Sequence, residues 1–239
     1  MTSGRNSFGA YTIILTGLSY FLIGVTFLLL PADQQVGNTQ AFLHGLTLDR
    51  TMIRLNYFCW ALAGITGLGA VPVITNLVRE GHEDLADWVR NLAILGFTVL
   101  AIDHFHVLGF DRFMVAAYQQ GDAAAHNGLA GVVPYLPLDR GSWLTGGAVG
   151  LWLLVVNILA LSDGRLPRVL GALGIIAGLL SMTAVAAQYL KPILGESILM
   201  PIIAVGAVVV GPLWFVWTGL IVRARRSPPI RSTAAATLA

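Results

Sequence analysis

Apolar residues run in six long stretches, and the polar residues gather between them. The stretches are 10–30, 52–78, 88–110, 143–161, 169–190 and 198–222. A helix needs about 20 mostly apolar residues to cross a bilayer's hydrocarbon core, and each stretch is of that order. The pattern predicts an all-α polytopic membrane helix bundle of six transmembrane helices, forming one domain over 1–239. Internal Gly and Pro fit helices here, because bundle neighbours can satisfy the freed backbone groups. Pro72, Pro201 and Pro212 each remove a donor and predict kinks. The first stretch leads straight into further apolar segments, so it reads as a retained helix and not a cleaved leader. Trp60, Trp88, Trp143, Trp214 and Trp217 fall in part where interfacial aromatic belts form.

The polar intervals set an orientation. Cytoplasmic flanks carry an excess of Lys and Arg. With both termini inside, the inner set is Arg5, Arg79, Arg90, Arg165, Arg168, Arg223, Arg225, Arg226 and Arg231, nine residues. The outer set is Arg50, Arg54, Arg112, Arg140 and Lys191, five residues. Both termini are therefore expected to be cytoplasmic, with 223–239 a basic, flexible tail. The inner loops 79–87 and 162–168 are short, and the outer loops 31–51 and 111–142 are long. Within the latter, 39–48 and 113–119 read as short interfacial helices or as loops packed over the bundle.

Small residues predict how the spans meet. Gly146 and Gly150 in the fourth stretch, and Gly171, Gly174 and Gly178 in the fifth, have spacings that let helix backbones approach closely. Contact within one chain is the expectation, since every span has neighbours there. Leu15-Thr16-Gly17 recurs as Leu144-Thr145-Gly146, but a second match at Ala61 and Ala172 has a different offset, so no inverted repeat is established.

Composition narrows the class of function. Hydrophobic residues are 56% of the 239 and charged ones 11%, which points to lipid as the main solvent. The single Cys59 excludes an intrachain disulfide and any multi-cysteine metal site. A net charge of +2 without a long basic run argues against a nucleic-acid partner. The expected partners are the lipid bilayer and a membrane protein, with the chain multi-pass in a cell membrane, most simply a bacterial inner membrane.

Against this background Asp103-His104-Phe105-His106 is conspicuous, with three titratable side chains inside a spanning stretch. Such groups are costly in hydrocarbon unless they face the protein interior or water, so they are functional suspects by default. Counting at 1.5 Å per residue puts Asp103 in the outer third of the third span. Arg54 and Asn56 in the second span, and Gln188 with Tyr189 in the fifth, are expected at the same depth. The candidate ligand or proton site is thus Asp103, His106, His104, Arg54, Asn56 and Gln188. Asp103 and His106 are i, i+3 and share a face, so the carboxylate could orient the imidazole. His104 and His106 lie about 200° apart around the helix and cannot chelate one metal ion together, and no metal site is assigned. A haem or chlorin needs one axial His, so the cofactor remains open. The plainer alternative is glue: Arg54 paired with Asp103, and the histidines capped by Asn56, Gln188 or water. Gly81-His82-Glu83-Asp84 reads as a solvated turn, and Asn157 stands alone in the inner half of its span.

Catalytic residues are not assigned, because no nucleophile elbow, zinc-helix, phosphate-loop or dinucleotide fingerprint occurs. Leu15-Thr16-Gly17, Arg54 opening the second span, and Gly164-Arg165-Leu166-Pro167-Arg168 leading into Leu170-Gly171-Ala172-Leu173-Gly174 resemble uncharacterised bacterial six-helix integral membrane proteins grouped as a domain of unknown function. The resemblance implies a six-helix fold and carries no activity. Function is expected to be that of a non-enzymatic accessory or ligand-binding protein with an outward-facing polar layer. The alternatives are a small proton-coupled secondary transporter and a haem- or chlorin-binding membrane subunit.

Overall fold

The computed structural model describes residues 3–31, 39–48, 50–133, 136–194 and 205–225, less the side chains of 3–7, 184, 187–194 and 207. Among them the chain is all helical: α1 (Ser3–Leu28), α2 (Thr39–Leu48), α3 (Thr51–Thr75), α4 (Glu83–Gln120), α5 (Ala123–Val132), α6 (Val149–Ser162), α7 (Arg168–Leu194) and α8 (Gly211–Ala224). α6 is entered through a π-helical segment, Trp143–Ala148, and α8 through another, Gly206–Val210. Among the described residues, four stretches are long and apolar enough to cross a membrane: Phe8–Leu28, Thr51–Thr75, Glu83–Gln120 and Trp143–Ser162. The stretch 195–204, with Pro201, and the tail 226–239 lie outside the described residues.

α1 is built inside out relative to a helix in water. Thr12, Thr16, Ser19 and Thr26 are buried, while Leu15, Leu18, Phe21 and Leu22 are exposed. The buried hydroxyls of Thr12, Thr16 and Thr26 bond back to carbonyls one turn earlier, as Thr16 does to Thr12 at 2.8 Å. Small hydroxyl residues let neighbours come close without leaving an unsatisfied polar group. The face this gains contacts α3 on one side and α8 on the other.

Close contacts fix the register. A Cβ on Gly64 would fall 2.6 Å from the backbone nitrogen of Ala101, so α3 and α4 touch backbone to backbone there. α6 and α7 meet in the same way: a Cβ on Gly150 would lie 2.8 Å from the Gly178 carbonyl, and one on Gly178 equally close to that of Gly150. Gly171 faces Leu161 and Gly174 faces Asn157, so the small residues of α7 receive side chains of α6. Gly146 accepts the Ser181 hydroxyl at 3.1 Å through its carbonyl. Trp152, Trp214, Phe97 and Phe215 fill the core between these contacts.

Two expectations about the elements change. Residues 113–119 are not a separate interfacial helix but the end of α4, which runs on for 38 residues to Gln120. No Gly or Pro break separates them from the span beyond Gly109, and Met114 and Val115 bury against Leu43, Leu46 and Ile53 in a second cluster. Trp214 is not at the surface but fully buried in the core, whereas Trp88 and Trp143 are exposed near helix starts. Pro72 lies within α3 and the helix continues to Thr75. Pro212 sits in the first turn of α8 just past the π-helical segment, where a missing N–H coincides with the change of ladder.

Charged side chains tie the two short loops together at one end of the bundle. Arg79 clasps Asp87 at 2.9 and 3.0 Å, and Arg165 reaches Glu80 at 3.0 Å. His82 meets Asp163 at 3.4 Å, and Arg225 donates to the Arg165 carbonyl at 2.6 Å. The Gly81 turn, with φ of +84°, is exposed as a solvated turn should be.

Candidate functional site

At the opposite end the helices part around a cavity of about 450 Å³. Tyr20 of α1, Tyr57 and Trp60 of α3, Leu100, Asp103 and His104 of α4, and Phe215 of α8 form much of its wall, with Phe42 and Met114 from the second cluster toward the covering layer. Thr145 and Gly146 of one π-helical segment line it, as does Gly206 of the other. A π turn widens the helix and shifts the side chains that follow, and such turns concentrate at functional sites. Both π turns among the described residues border this one cavity.

Asp139 holds the first of them. Its carboxylate accepts the backbone N–H groups of Trp143, Leu144 and Thr145 at 2.9, 2.9 and 2.7 Å, and the Thr145 hydroxyl at 2.8 Å. Those are donors that a helix start leaves unpaired. Ser142, between them, takes a left-handed conformation with φ of 52°. Asp103, 5% exposed, in turn accepts the N–H groups of Leu138 and Asp139 at 2.8 and 3.3 Å. A carboxylate on a spanning helix thus pins the strap that enters α6.

His104 is set by three contacts. Its Nδ1 bonds the Leu100 carbonyl at 2.8 Å, which requires the proton on Nδ1 in the neutral ring. Nε2 is then the acceptor nitrogen. The ring stacks on Trp60 with centroids 5.3 Å apart and planes at 18°, and Tyr57 flanks it at 5.5 Å.

The remaining candidates go elsewhere. Arg54 does not meet Asp103; it makes a two-point ion pair with Asp111, through Nε to Oδ2 and, at 3.0 Å, through Nη2 to Oδ1. Register is the reason. Arg54 and Asp111 stand equally far along their helices from the Gly64–Ala101 contact, whereas the α3 residue level with Asp103 is near Leu62. Asp103 does not orient His106 either, because its oxygens face the 138–139 strap and the His106 ring packs edge-on against Phe110 at 4.6 Å. Asn56 turns to α1, donating to the Ile23 carbonyl at 3.0 Å and the Thr26 hydroxyl at 2.8 Å, and so caps no histidine. Gln188 and Tyr189 have side chains outside those described. Of the six candidates, Asp103 and His104 line the cavity.

Tyr57, Trp60 and Asp139 line the cavity as well. Trp60 reads from the sequence as an interfacial anchor, but it lies level with His104 on the neighbouring helix. Asp139, before Ser142 and the Trp143 stretch, carried a usable signal: an acidic residue just ahead of an apolar helix start is a capping pattern.

Domain of unknown function (DUF4386) is the family to which the chain belongs; it matches residues 12–219. Among curated proteins and among solved structures, none matches the chain.

Proposed function

We propose that the chain is a six-span integral membrane protein with cytoplasmic termini and that its cavity binds a small, largely apolar ligand presented from the outer side. The inside-out arrangement of α1 and the four membrane-capable helices support the membrane setting. α7 and α8 supply the fifth and sixth spans. The observation that carries the ligand reading is the cavity itself: about 450 Å³, within the range of small-molecule sites, apolar in most of its wall and with a few fixed polar groups. The chain then acts as a binding or accessory protein and not as an enzyme.

Native mass spectrometry of protein released from its own membranes tests this. Ala177, which lines the cavity and is 4% exposed, supplies the control: Ala177→Phe should fill the space. A bound mass in the wild type that Ala177→Phe lacks is the expected result. Equal loading of the two, or an empty wild type that no small apolar compound stabilises, would reject the reading.

A second reading is favoured by one feature. A backbone carbonyl fixing Nδ1–H and leaving Nε2 for a ligand is the support that axial histidines receive, so His104 suits a haem or chlorin. An absorption spectrum of the purified protein separates the two: a Soret or chlorin band abolished in His104→Ala supports the pigment, and a colourless, ligand-loaded protein supports the open cavity.

A further inference from the structure

The charges around the cavity are unbalanced, and that narrows the ligand class. Among the described residues, those on its wall are Asp103, Asp139 and the exposed Arg140, two negative to one positive. Asp139 spends its carboxylate on four donors at the start of α6. Asp103 accepts only two backbone N–H groups, and no described Lys, Arg or His stands within ion-pair distance of it. A carboxylate has about four lone-pair sites, so acceptor capacity is left. Buried charges are ordinarily paired, since an isolated one is costly.

Two neighbouring features agree in sign. Nε2 of His104 is an acceptor, fixed as such by the Nδ1 bond, so it invites a donor. Tyr20 and Trp60 bring aromatic rings to the same wall, and ring faces attract cations.

We propose that the cavity takes a protonated amine carried on a compact apolar body, the ammonium meeting Asp103, one N–H donated to Nε2 of His104, and the body packed along Tyr20 and Trp60. The inference rests on the ligand-binding reading above and adds the sign of the head group. Among the described residues, an anionic ligand would face two carboxylates and an acceptor nitrogen against a single cation, the exposed Arg140. A neutral ligand would leave Asp103 without a counter-charge among the described residues.

The test uses one carbon skeleton with three heads: 4-phenylbutylamine, 4-phenylbutanol and 4-phenylbutyrate, titrated calorimetrically at neutral pH into the full chain in zwitterionic nanodiscs, with empty discs subtracted. Comparison within the wild type needs no variant to fold. The amine is expected to bind at least tenfold more tightly than the alcohol and the alcohol more tightly than the carboxylate. Asp103→Asn, which keeps one carbonyl acceptor for the strap, should bring the amine down to the alcohol's affinity and leave the alcohol unchanged. Equal binding of amine and alcohol, or preference for butyrate, overturns the amine while the cavity reading stands. Failure of all three to bind, with Ala177→Phe indistinguishable from wild type, overturns both.

Discussion

Replacing Arg54 with Gln should destabilise the protein more than replacing its partner Asp111 with Asn, although both changes break one ion pair. Asp111 is 3% exposed, while the Arg54 side chain is 47% exposed. Without the guanidinium, a buried carboxylate is left uncompensated, and that is the expensive half of such a break. Hydrogen bonds to a charged group contribute about 1.5–3 kcal/mol each. Solvent screening at a half-exposed arginine reduces this sharply, so Arg54→Gln should cost about 1–2 kcal/mol.

In Asp111→Asn the guanidinium survives, and it can extend to water or headgroups. The amide also keeps one acceptor, so the cost should stay below about 1 kcal/mol. The double variant should resemble Asp111→Asn alone, because no buried charge then remains. Reversible unfolding in mixed lipid and dodecyl sulfate micelles, followed by far-ultraviolet circular dichroism, gives all four corners of the cycle. Equal single costs, a costlier Asp111→Asn, or strict additivity would refute the asymmetry and with it the burial assigned to Asp111.

Gly150→Val should lower the unfolding midpoint by far more than Gly81→Ala: the first pushes a side chain into the Gly178 carbonyl, whereas Gly81 has open space and only its φ of +84° to strain, about 1 kcal/mol. Comparable midpoint shifts in a detergent melt would contradict the α6–α7 contact. Asp139→Ala removes the acceptor of four bonds at the π-helical start and should cost about 2 kcal/mol, the upper end for a cap, with faster amide exchange over 143–148; unchanged exchange would count against that role. At the opposite end, the His82 imidazole beside Asp163, helped by Ser162 and Arg165, holds the Asp163 carboxyl below the usual carboxylate range. Its contribution is therefore fully present above the ordinary carboxylate pKa and is lost as pH falls through the lowered one. Asp163→Asn should flatten the acid limb of a stability–pH profile in that window, and an unaltered limb would show that the His82–Asp163 contact is not ionic.

How far the sequence reaches is set by what each signal depends on. Helix positions follow from apolar run length, a local property, and three of the four membrane-capable helices fall within a few residues of where the pattern predicts them, while α4 outruns its apolar stretch by ten residues. The pairing of Arg54 depends on the register of α3 against α4. That register is decided by where Gly64 lets Ala101 approach, and a depth count along separate helices misses it. Asn56 escapes a depth count for a related reason: depth says nothing of which neighbour a face meets, and this one meets α1. The π turns at Trp143–Ala148 and Gly206–Val210 left only paired glycines in the chain, at 146–147 and at 206 and 211, and glycine spacing reads first as packing.

Some of the buried polar groups in this bundle are answered by one another across helices. Asn157 takes the Trp214 indole N–H at 3.0 Å, Trp152 donates to the Thr75 hydroxyl at 2.9 Å, and Asn56 bridges α3 to α1. Each of these bonds joins two helices, which is what glue requires. Asp103 and His104 differ. Their bonds run to backbone atoms, of the 138–139 strap and of α4's own preceding turn, and those bonds fix orientation while leaving an oxygen lone pair and a ring nitrogen uncommitted. A side chain held by one end and left with capacity at the other is pre-organised for something that arrives later. Since the uncommitted atoms belong to residues on the wall of the same cavity, the polar groups at this end of the bundle divide by the partners they already have. Arg54, Asp111 and Asn56 hold helices together, and Asp103 with His104 are the pair on which the proposed ligand site rests.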